Sequence, residues 1–169
     1  MELERLLDRA RQLEERAAAV YRIYAASARI DPPLCALWTD LARDEEAHAR
    51  SLASAKGGIA AVTGRPLRVN GWEKAVDEIE ERLAAAERLG PDAGTDRQLS
   101  AALALEMTEL EGLRHLLLEL SRCPEDEAAR GAHAERLADQ AARFSQDPQV
   151  TLQAALLRAR ARARPRPAP

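Results

Sequence analysis

The sequence predicts an all-α protein, an antiparallel four-helix bundle with an extra helix in the long connection between its second and third helices. Apolar residues make up 46% of the 169 residues and aromatic residues only 3%. Much of the apolar content is Ala and Leu, which favours closely packed helices over sheets. Apolar residues also recur at intervals of three and four along several long segments, which is typical of amphipathic helices.

Six helices are predicted from these intervals and from the Pro and Gly residues between them. They cover residues 2–29, 33–55, 72–89, 95–121, 126–146 and 149–160. Gly57-Gly58 is expected to end the second helix, and residues 58–71 look irregular. Short turns near Pro32 and Pro124 join two helix pairs, and helices joined by short turns are antiparallel neighbours. The polar helix 72–89 therefore belongs to the connection between the two pairs.

The chain is predicted to contain one bundle, residues 1–148, followed by a short helix and tail, residues 149–169. The tail alternates Arg with Ala and Pro, cannot bury apolar surface and is expected to be disordered. It is the one feature that would attract nucleic acid. The net charge of −3 gives no general basic character, so no nucleic-acid partner is expected.

Other composition features exclude several classes of protein. No segment approaches 18 uninterrupted apolar residues, so no membrane span is expected. The charged N-terminus does not resemble a signal peptide. Cys35 and Cys123 are too few for a disulfide framework or a zinc site and are expected to be idle thiols. A reducing cytoplasmic location is therefore predicted.

Carboxylates interrupt the apolar stripes of the long helices. Glu45 and His48 lie three residues apart, about 60° around the helix axis and one turn apart in height. Glu14 interrupts the first helix, and Glu106 and Glu109 interrupt the fourth. The depth of each side chain along the bundle can be counted in residues from the two turns, at about 1.5 Å per residue. On this count all of them, together with Gln140 and Arg143 of the fifth helix, lie within a layer less than about 8 Å thick.

A layer with four buried carboxylates needs compensating positive charge, because an unpaired buried charge is costly. Arg143 would supply one positive charge, which is too little for Glu14, Glu45, Glu106 and Glu109. Either some carboxyl groups are protonated or a cation fills the site. Carboxylate oxygens with an imidazole suit iron, manganese or zinc.

At this point the chain resembles the ferritin-like superfamily, and rubrerythrin-like di-iron carboxylate proteins most closely. The Glu14 to Tyr21 spacing, the run from Leu41 to His48 and the Glu106-x-x-Glu109 pair carry the resemblance over residues 1–148. In that family each of two helix pairs supplies one Glu and one Glu-x-x-His. The resemblance implies iron, one or two ions, bound by Glu14, Glu45, His48 and Glu106, with Glu109 as an extra carboxylate. It also implies a homodimer or larger homo-oligomer.

The fifth helix departs from the family pattern. Where Glu-x-x-His is expected, the depth count finds Gln140 and Arg143 as replacements in the second half-site. His133 lies about 10 Å away on this count and is predicted to be a hydrogen-bonded or surface residue. One hypothesis is that the Arg143 guanidinium takes the place and charge of the second ion, pairing with Glu106 or Glu109.

Three functions follow from these patterns. The first is metal binding with oxidoreductase, ferroxidase or peroxidase-type chemistry, which would need a separate electron donor because no rubredoxin-like Cys-x-x-Cys pair is present. The second is a degenerate bundle that serves as a non-catalytic structural or interaction module. The third is a bundle whose inward carboxylates are hydrated and bind no cofactor. Because fold alone does not determine function, the sequence leaves enzyme activity open.

Overall fold

A computed structural model describes the backbone of residues 3–27, 32–62, 70–121 and 124–163, and the side chains of residues 3–27, 32–54, 72–110 and 130–163. Over these residues the protein is all-helical, as predicted. The six helices are α1 (Leu3–Ala25), α2 (Pro32–Val62), α3 (Asn70–Leu89), α4 (Thr95–Ser121), α5 (Pro124–Phe144) and α6 (Pro148–Arg162).

The helices associate mainly in three pairs around one hydrophobic core. α1 packs most extensively against α2, α3 against α4, and α5 against α6, while α2 also contacts α4 and α5. Aromatic residues anchor the first pair, because Tyr21 stacks on Trp38 with ring centroids 5.8 Å apart and Tyr24 meets Trp38 edge-on at 5.2 Å. Leucine and alanine side chains fill most of the remaining core.

The expected end of α2 at Gly57-Gly58 is wrong, because the helix continues to Val62. Glycine inside a helix costs about 1 kcal/mol relative to alanine, and it ends a helix only when it adopts a left-handed conformation. Gly90 does so directly after α3, with φ 66°, where the end of that helix was predicted. Of the segment expected to be irregular, residues 58–62 are helical and residues 63–69 lie outside the described residues.

α3 lies against α1 and α4, as expected for a helix in the connection. Its apolar stripe is buried in the common core, and its polar face exchanges ion pairs with α1. Arg9 pairs with Asp77 at 2.7 Å and Arg16 with Glu87 at 2.9 Å. Because these pairs are exposed, each contributes little to stability, and the apolar stripe carries most of the attachment.

α6 belongs to the same core as the other helices. Asp147 caps its N-terminus by accepting a hydrogen bond from the Gln149 backbone N–H at 2.7 Å. Val150, Ala154 and Leu157 are buried in the core cluster. The tail that was expected to be disordered, residues 158–169, is helical over residues 158–162, because α6 continues to Arg162. From residue 164 onward it lies outside the described residues, as does Cys123. The Cys35 thiol donates to the Ala25 carbonyl at 3.3 Å. None of the described helices is long and apolar enough to span a membrane.

Candidate metal centre

Five predicted site residues lie buried in the interior of the helical assembly. α1 contributes Glu14, α2 contributes Glu45 and His48, and α4 contributes Glu106 and Glu109. Each of these polar residues lies on the buried apolar face of its helix, among leucines and alanines, as the interrupted apolar stripes predict. The structure thus brings carboxylates and an imidazole from three helices into one region of the core.

The contribution of α5 differs from the prediction. His133 is 1% exposed, and its Nε2 atom lies 3.0 Å from Glu45 Oε1 and 2.9 Å from Glu106 Oε1. The prediction that His133 lies outside the site is therefore wrong. Gln140 is only half-buried, and Arg143 is exposed with its guanidinium 5.7 Å from the centroid of the Phe144 ring. These two residues lie about 10 and 15 Å further along the helix, so they do not form the second half-site.

The error arose from counting residues away from the turn at Pro124. Such a count measures depth only when the two joined helices run closely side by side. This is a good approximation for α1 and α2, but α4 packs mainly on α3 and α5 mainly on α6. A different signal was available in the sequence, because Arg130-x-x-His133 repeats the spacing of Glu45-x-x-His48.

Glu45 lies between the two histidines. Its Oε2 atom is 2.9 Å from Nδ1 of His48, and its Oε1 atom is 3.0 Å from Nε2 of His133. The two imidazole rings meet edge-on with centroids 5.4 Å apart. Two sets of three ligand atoms, each within 4.8 Å of one another, result from this arrangement: Glu14, Glu45 and His48 in one, and Glu45, Glu106 and His133 in the other.

Asp44 holds the His133 ring in place. Its Oδ2 atom lies 2.9 Å from Nδ1 of His133 and also pairs with Arg136. The ring N–H at Nδ1 is thus directed to Asp44, and Nε2 is directed to the two glutamates. A histidine that binds metal through one nitrogen commonly donates its other N–H to a carboxylate in this way. Sequence reasoning missed Asp44 because it lies about 100° around the helix from Glu45.

Three buried polar atoms of the site have no hydrogen-bond partner among the described residues: Glu14 Oε2, Glu45 Oε1 and His133 Nε2. Although His133 Nε2 is close to two carboxylate oxygens, the contacts lack hydrogen-bond alignment. Leaving such groups unsatisfied costs about 1–3 kcal/mol each. Ligands bound at about 2.0–2.1 Å and at right angles around a metal ion are about 2.9 Å apart, which matches these separations. The donor set therefore fits a metal ion.

The positive charge inside the site comes from Arg130 of α5. This side chain is only 9% exposed, and both terminal nitrogens donate to Glu14 Oε1 at 3.2 Å. Burial opposes ionisation of Glu14, but Arg130 outweighs it and holds the pKa of Glu14 well below its ordinary value. The guanidinium predicted from the sequence is present, but Arg130 supplies it in place of Arg143.

The pKa values of the remaining acidic groups are shifted in opposite directions. Burial and the charge of Glu106 raise the pKa of Glu45 to about 7. Burial and the neighbouring carboxylates raise the pKa of Glu109 well above its ordinary value. Burial also opposes ionisation of Glu106, but the charge of His133 outweighs it and lowers the pKa of Glu106. The Tyr21 hydroxyl donates to Glu106 Oε1 at 2.9 Å and fixes that carboxylate in position.

The two histidines are basic in the metal-free protein. Burial works against charging His48, but its contacts with Glu14 and Glu45 outweigh burial and raise the pKa of His48 to about 9. For His133 the charges of Glu106 and Glu45 outweigh burial, and its pKa is well above the ordinary value. Together with the permanent charge of Arg130, the two histidines offset negative charge of the buried glutamates, so the site can approach neutrality without a metal ion.

The raised pKa of His48 makes the stability of the metal-free protein depend on pH. Because the folded pKa of about 9 exceeds the ordinary value of 6.5, the stabilisation is complete below pH 6.5 and is lost as pH rises through 9. We expect the free energy of unfolding of chelator-treated protein to fall by about 1–3 kcal/mol across this interval, measured by urea denaturation. The His48→Gln variant should show a flatter dependence, and an unchanged slope would contradict this prediction.

A small cavity of about 10 Å³ borders the site, which is about the space of one water molecule. It is lined by His48, Glu106, Glu109, Leu110, Arg130 and His133. The interior of the cluster therefore has room for a single small species beside the ligand atoms.

No family model, curated protein or solved structure matches this chain. The functional assignment therefore depends on the chemistry of the site itself.

Proposed function

We propose that this protein binds a divalent transition-metal ion, iron, at the buried carboxylate and histidine cluster of a ferritin-like, rubrerythrin-like helical bundle. The observation that carries the proposal is the unsatisfied pair formed by Glu45 Oε1 and His133 Nε2. These atoms are buried and 3.0 Å apart without hydrogen-bond alignment, while Asp44 holds the far side of the His133 ring. Such an arrangement is typical of ligands around a metal ion.

The ligand chemistry favours iron or manganese. Glu45, Glu106 and His133 offer two carboxylate oxygens and one imidazole nitrogen, and the separations suit bonds at right angles. Structural zinc sites are tetrahedral and closed by four ligands, often cysteines, so the present set suits them less well. The cysteine that the structure describes, Cys35, bonds to a backbone carbonyl.

The proposed fold uses α1, α2, α4 and α5 as the four helices of the bundle, because these four contribute the side chains of the cluster. α3 then occupies the long connection, and α6 adds to one side. In ferritin-like metal proteins, two of the four helices each present a pair of ligands with an i, i+3 spacing. Two helices of this chain keep the spacing, as Glu45-x-x-His48 and Arg130-x-x-His133.

Iron in this site would supply one-electron redox chemistry toward oxygen or peroxide. The chain's own groups would exclude bulk water, since all the site residues are buried. Tyr21 would hold Glu106 through its hydrogen bond. Glu109 lines the small cavity, and because burial raises its pKa well above the ordinary value, it would be suited to donate a proton there. The activity proposed for this arrangement is of the ferroxidase or peroxidase type: Fe(II) as substrate would supply the electrons in the first case, and a separate donor protein would supply them in the second.

The competing function is a non-catalytic structural or interaction module. The observation in its favour is that Arg130, His48 and His133 can balance the carboxylates without metal. A bundle of this kind would keep its buried polar cluster as an internal ion-pair network. The two functions differ in whether the purified protein retains a metal ion.

Metal analysis of a matched pair of glutamate variants tests the proposal. Protein purified without chelators, or incubated anaerobically with Fe(II), should retain about one ion or more per chain. Glu45→Gln should lose nearly all of it, because both candidate ligand sets contain Glu45. Glu15→Gln changes an exposed carboxylate in α1 beside Glu14 and should bind as the wild type does.

The same measurement decides between the two functions. Retention of less than about a tenth of an ion per chain, with Fe(II), Mn(II) and Zn(II) each offered, would support the structural module and overturn metal binding. Retention of Mn(II) or Zn(II) by protein that binds no Fe(II) would support a metal site and overturn iron as its metal. Tighter binding of Zn(II) alone would not, because sites with nitrogen and oxygen ligands generally bind Zn(II) more tightly than Fe(II). Equal losses in Glu45→Gln and Glu15→Gln would show that the ion binds elsewhere.

A further inference from the structure

Arg130 occupies, in α5, the position at which α2 presents a carboxylate. Glu45 precedes His48 by three residues, and Arg130 precedes His133 by three residues. The two histidine rings face each other across the cluster with centroids 5.4 Å apart. The two i, i+3 motifs are therefore alike in spacing but differ in charge. The motif of α2 contains a carboxylate, and the motif of α5 contains a permanent cation.

The Arg130 guanidinium forms a buried ion pair with Glu14. Both terminal nitrogens of Arg130 donate to Glu14 Oε1 at 3.2 Å, and the pair is almost completely buried, with side-chain exposures of 10% and 1%. An arginine does not release its proton in a protein, so this charge persists whatever else binds. One oxygen of Glu14 is consequently bonded to a fixed cation.

The guanidinium affects the two candidate ligand sets unequally. An ion bound by Glu14, Glu45 and His48 would share the Glu14 carboxylate with Arg130, and two cations on one buried carboxylate repel each other strongly. In contrast, the set formed by Glu45, Glu106 and His133 includes no residue that pairs with Arg130 among those described. That set also has the oriented ring nitrogen, held by Asp44.

We infer that Arg130 takes the place of a second metal ion, so that the protein binds one ion, at Glu45, Glu106 and His133. This inference rests on the proposed metal-binding function and adds its stoichiometry and location. Arg130 is here a residue that determines how many ions the cluster accepts. The set formed by Glu14, Glu45 and His48 then binds no metal ion of its own, and its side chains form ion pairs beside the bound ion.

Replacing Arg130 with glutamate tests the stoichiometry. In anaerobic Fe(II) titrations followed by metal analysis, the wild type is expected to hold one ion per chain and Arg130→Glu two, because the variant loses the fixed cation and gains a carboxylate at the matching position. Arg130→Lys keeps the charge and should hold one ion. Magnetic coupling between two neighbouring ions in Arg130→Glu, seen by magnetic resonance or Mössbauer spectroscopy, would provide a readout independent of activity.

The outcomes separate this inference from the function on which it rests. Two ions per wild-type chain, or one ion in both the wild type and Arg130→Glu, would overturn the inference and leave metal binding intact. No ion in the wild type would overturn the proposed function itself. Two ions in Arg130→Lys would show that the charge of residue 130 does not set the count, and would also overturn the inference.

A second variant tests the location of the ion and guards against a folding failure of Arg130→Glu. His48→Gln removes a ligand only from the Glu14, Glu45 and His48 set and leaves the Arg130–Glu14 ion pair intact, so it should still bind one Fe(II) per chain. Loss of that ion from helical, soluble His48→Gln protein would place the ion with Glu14 and His48, contrary to the inference. Circular dichroism at helical wavelengths establishes that each variant is folded before its metal content is measured.

Discussion

Replacing His133 by alanine is expected to weaken Fe(II) binding by at least about 100-fold. His133 directs Nε2 at Glu45 and Glu106 from distances of 3.0 and 2.9 Å, and it supplies the nitrogen ligand of the set that Arg130 leaves accessible. Its loss removes a ligand and the ring that Asp44 orients. Because loss of an orienting partner alone costs about 10- to 100-fold in affinity, loss of the ligand itself should cost more. Anaerobic competition against a chromophoric chelator measures the change.

Two companion variants define how this result is interpreted. Asp44→Asn leaves Nε2 in place but weakens its orientation, so it should lower the affinity by about 10- to 100-fold. His48→Ala removes a nitrogen from the half that faces Arg130, so it should lower the affinity less than His133→Ala does. The reverse order, with His48→Ala the more damaging, would place the ion in the Glu14, Glu45 and His48 set and contradict the expected location.

The helices follow from local sequence features, and the boundaries that were missed have a local cause. Apolar spacing predicts α3, α4 and α5 closely because each has a face that must be buried. α1 was predicted to continue to residue 29, but it ends at Ala25. α2 was predicted to end at Gly57-Gly58, but it extends to Val62. Glycine carries only a modest penalty in a helix, so two glycines followed by helix-favouring alanines need not end it.

Some residues of the cluster could be predicted from the sequence and others could not. Glu14, Glu45 and Glu106 could be predicted because a carboxylate within an apolar stripe must point into the core. His133 and Arg130 were missed because their depth depends on how α5 packs against α4 and α6, which residue counts from a turn do not capture. The repeated i, i+3 spacing with His48 was the better guide.

Arg130 explains why the cluster tolerates several buried glutamates, whichever function it serves. Its guanidinium is the fixed positive charge beside Glu14, and His48 and His133 add charge through their raised pKa values. Metal binding would have to displace the protons of the imidazole nitrogens that face the ion, which couples metal uptake to proton release. The stability of the metal-free protein and its affinity for metal are therefore linked through the same side chains.

Replacing Arg130 with methionine is accordingly expected to lower the free energy of unfolding of the metal-free protein by about 3–5 kcal/mol. The substitution keeps an apolar stem of similar length but leaves Glu14 buried without its cation, and removing one partner of a buried pair costs this much. Arg130→Met combined with Glu14→Gln should recover most of the loss, because the uncompensated charge is then gone. Urea denaturation of the two single variants and the double variant at pH 7 measures the coupling.

A surface pair of the same chemical type provides the control. Arg158 pairs with Asp139 between α6 and α5, with 32% and 58% of the two side chains exposed. Arg158→Met should change the free energy of unfolding by at most about 1 kcal/mol, because water already solvates both charges. If Arg130→Met were as mild as Arg158→Met, Glu14 would have to lose its charge or find another cation. Arg130 would then not be the residue that balances the cluster, and the single-ion stoichiometry would lose its physical basis.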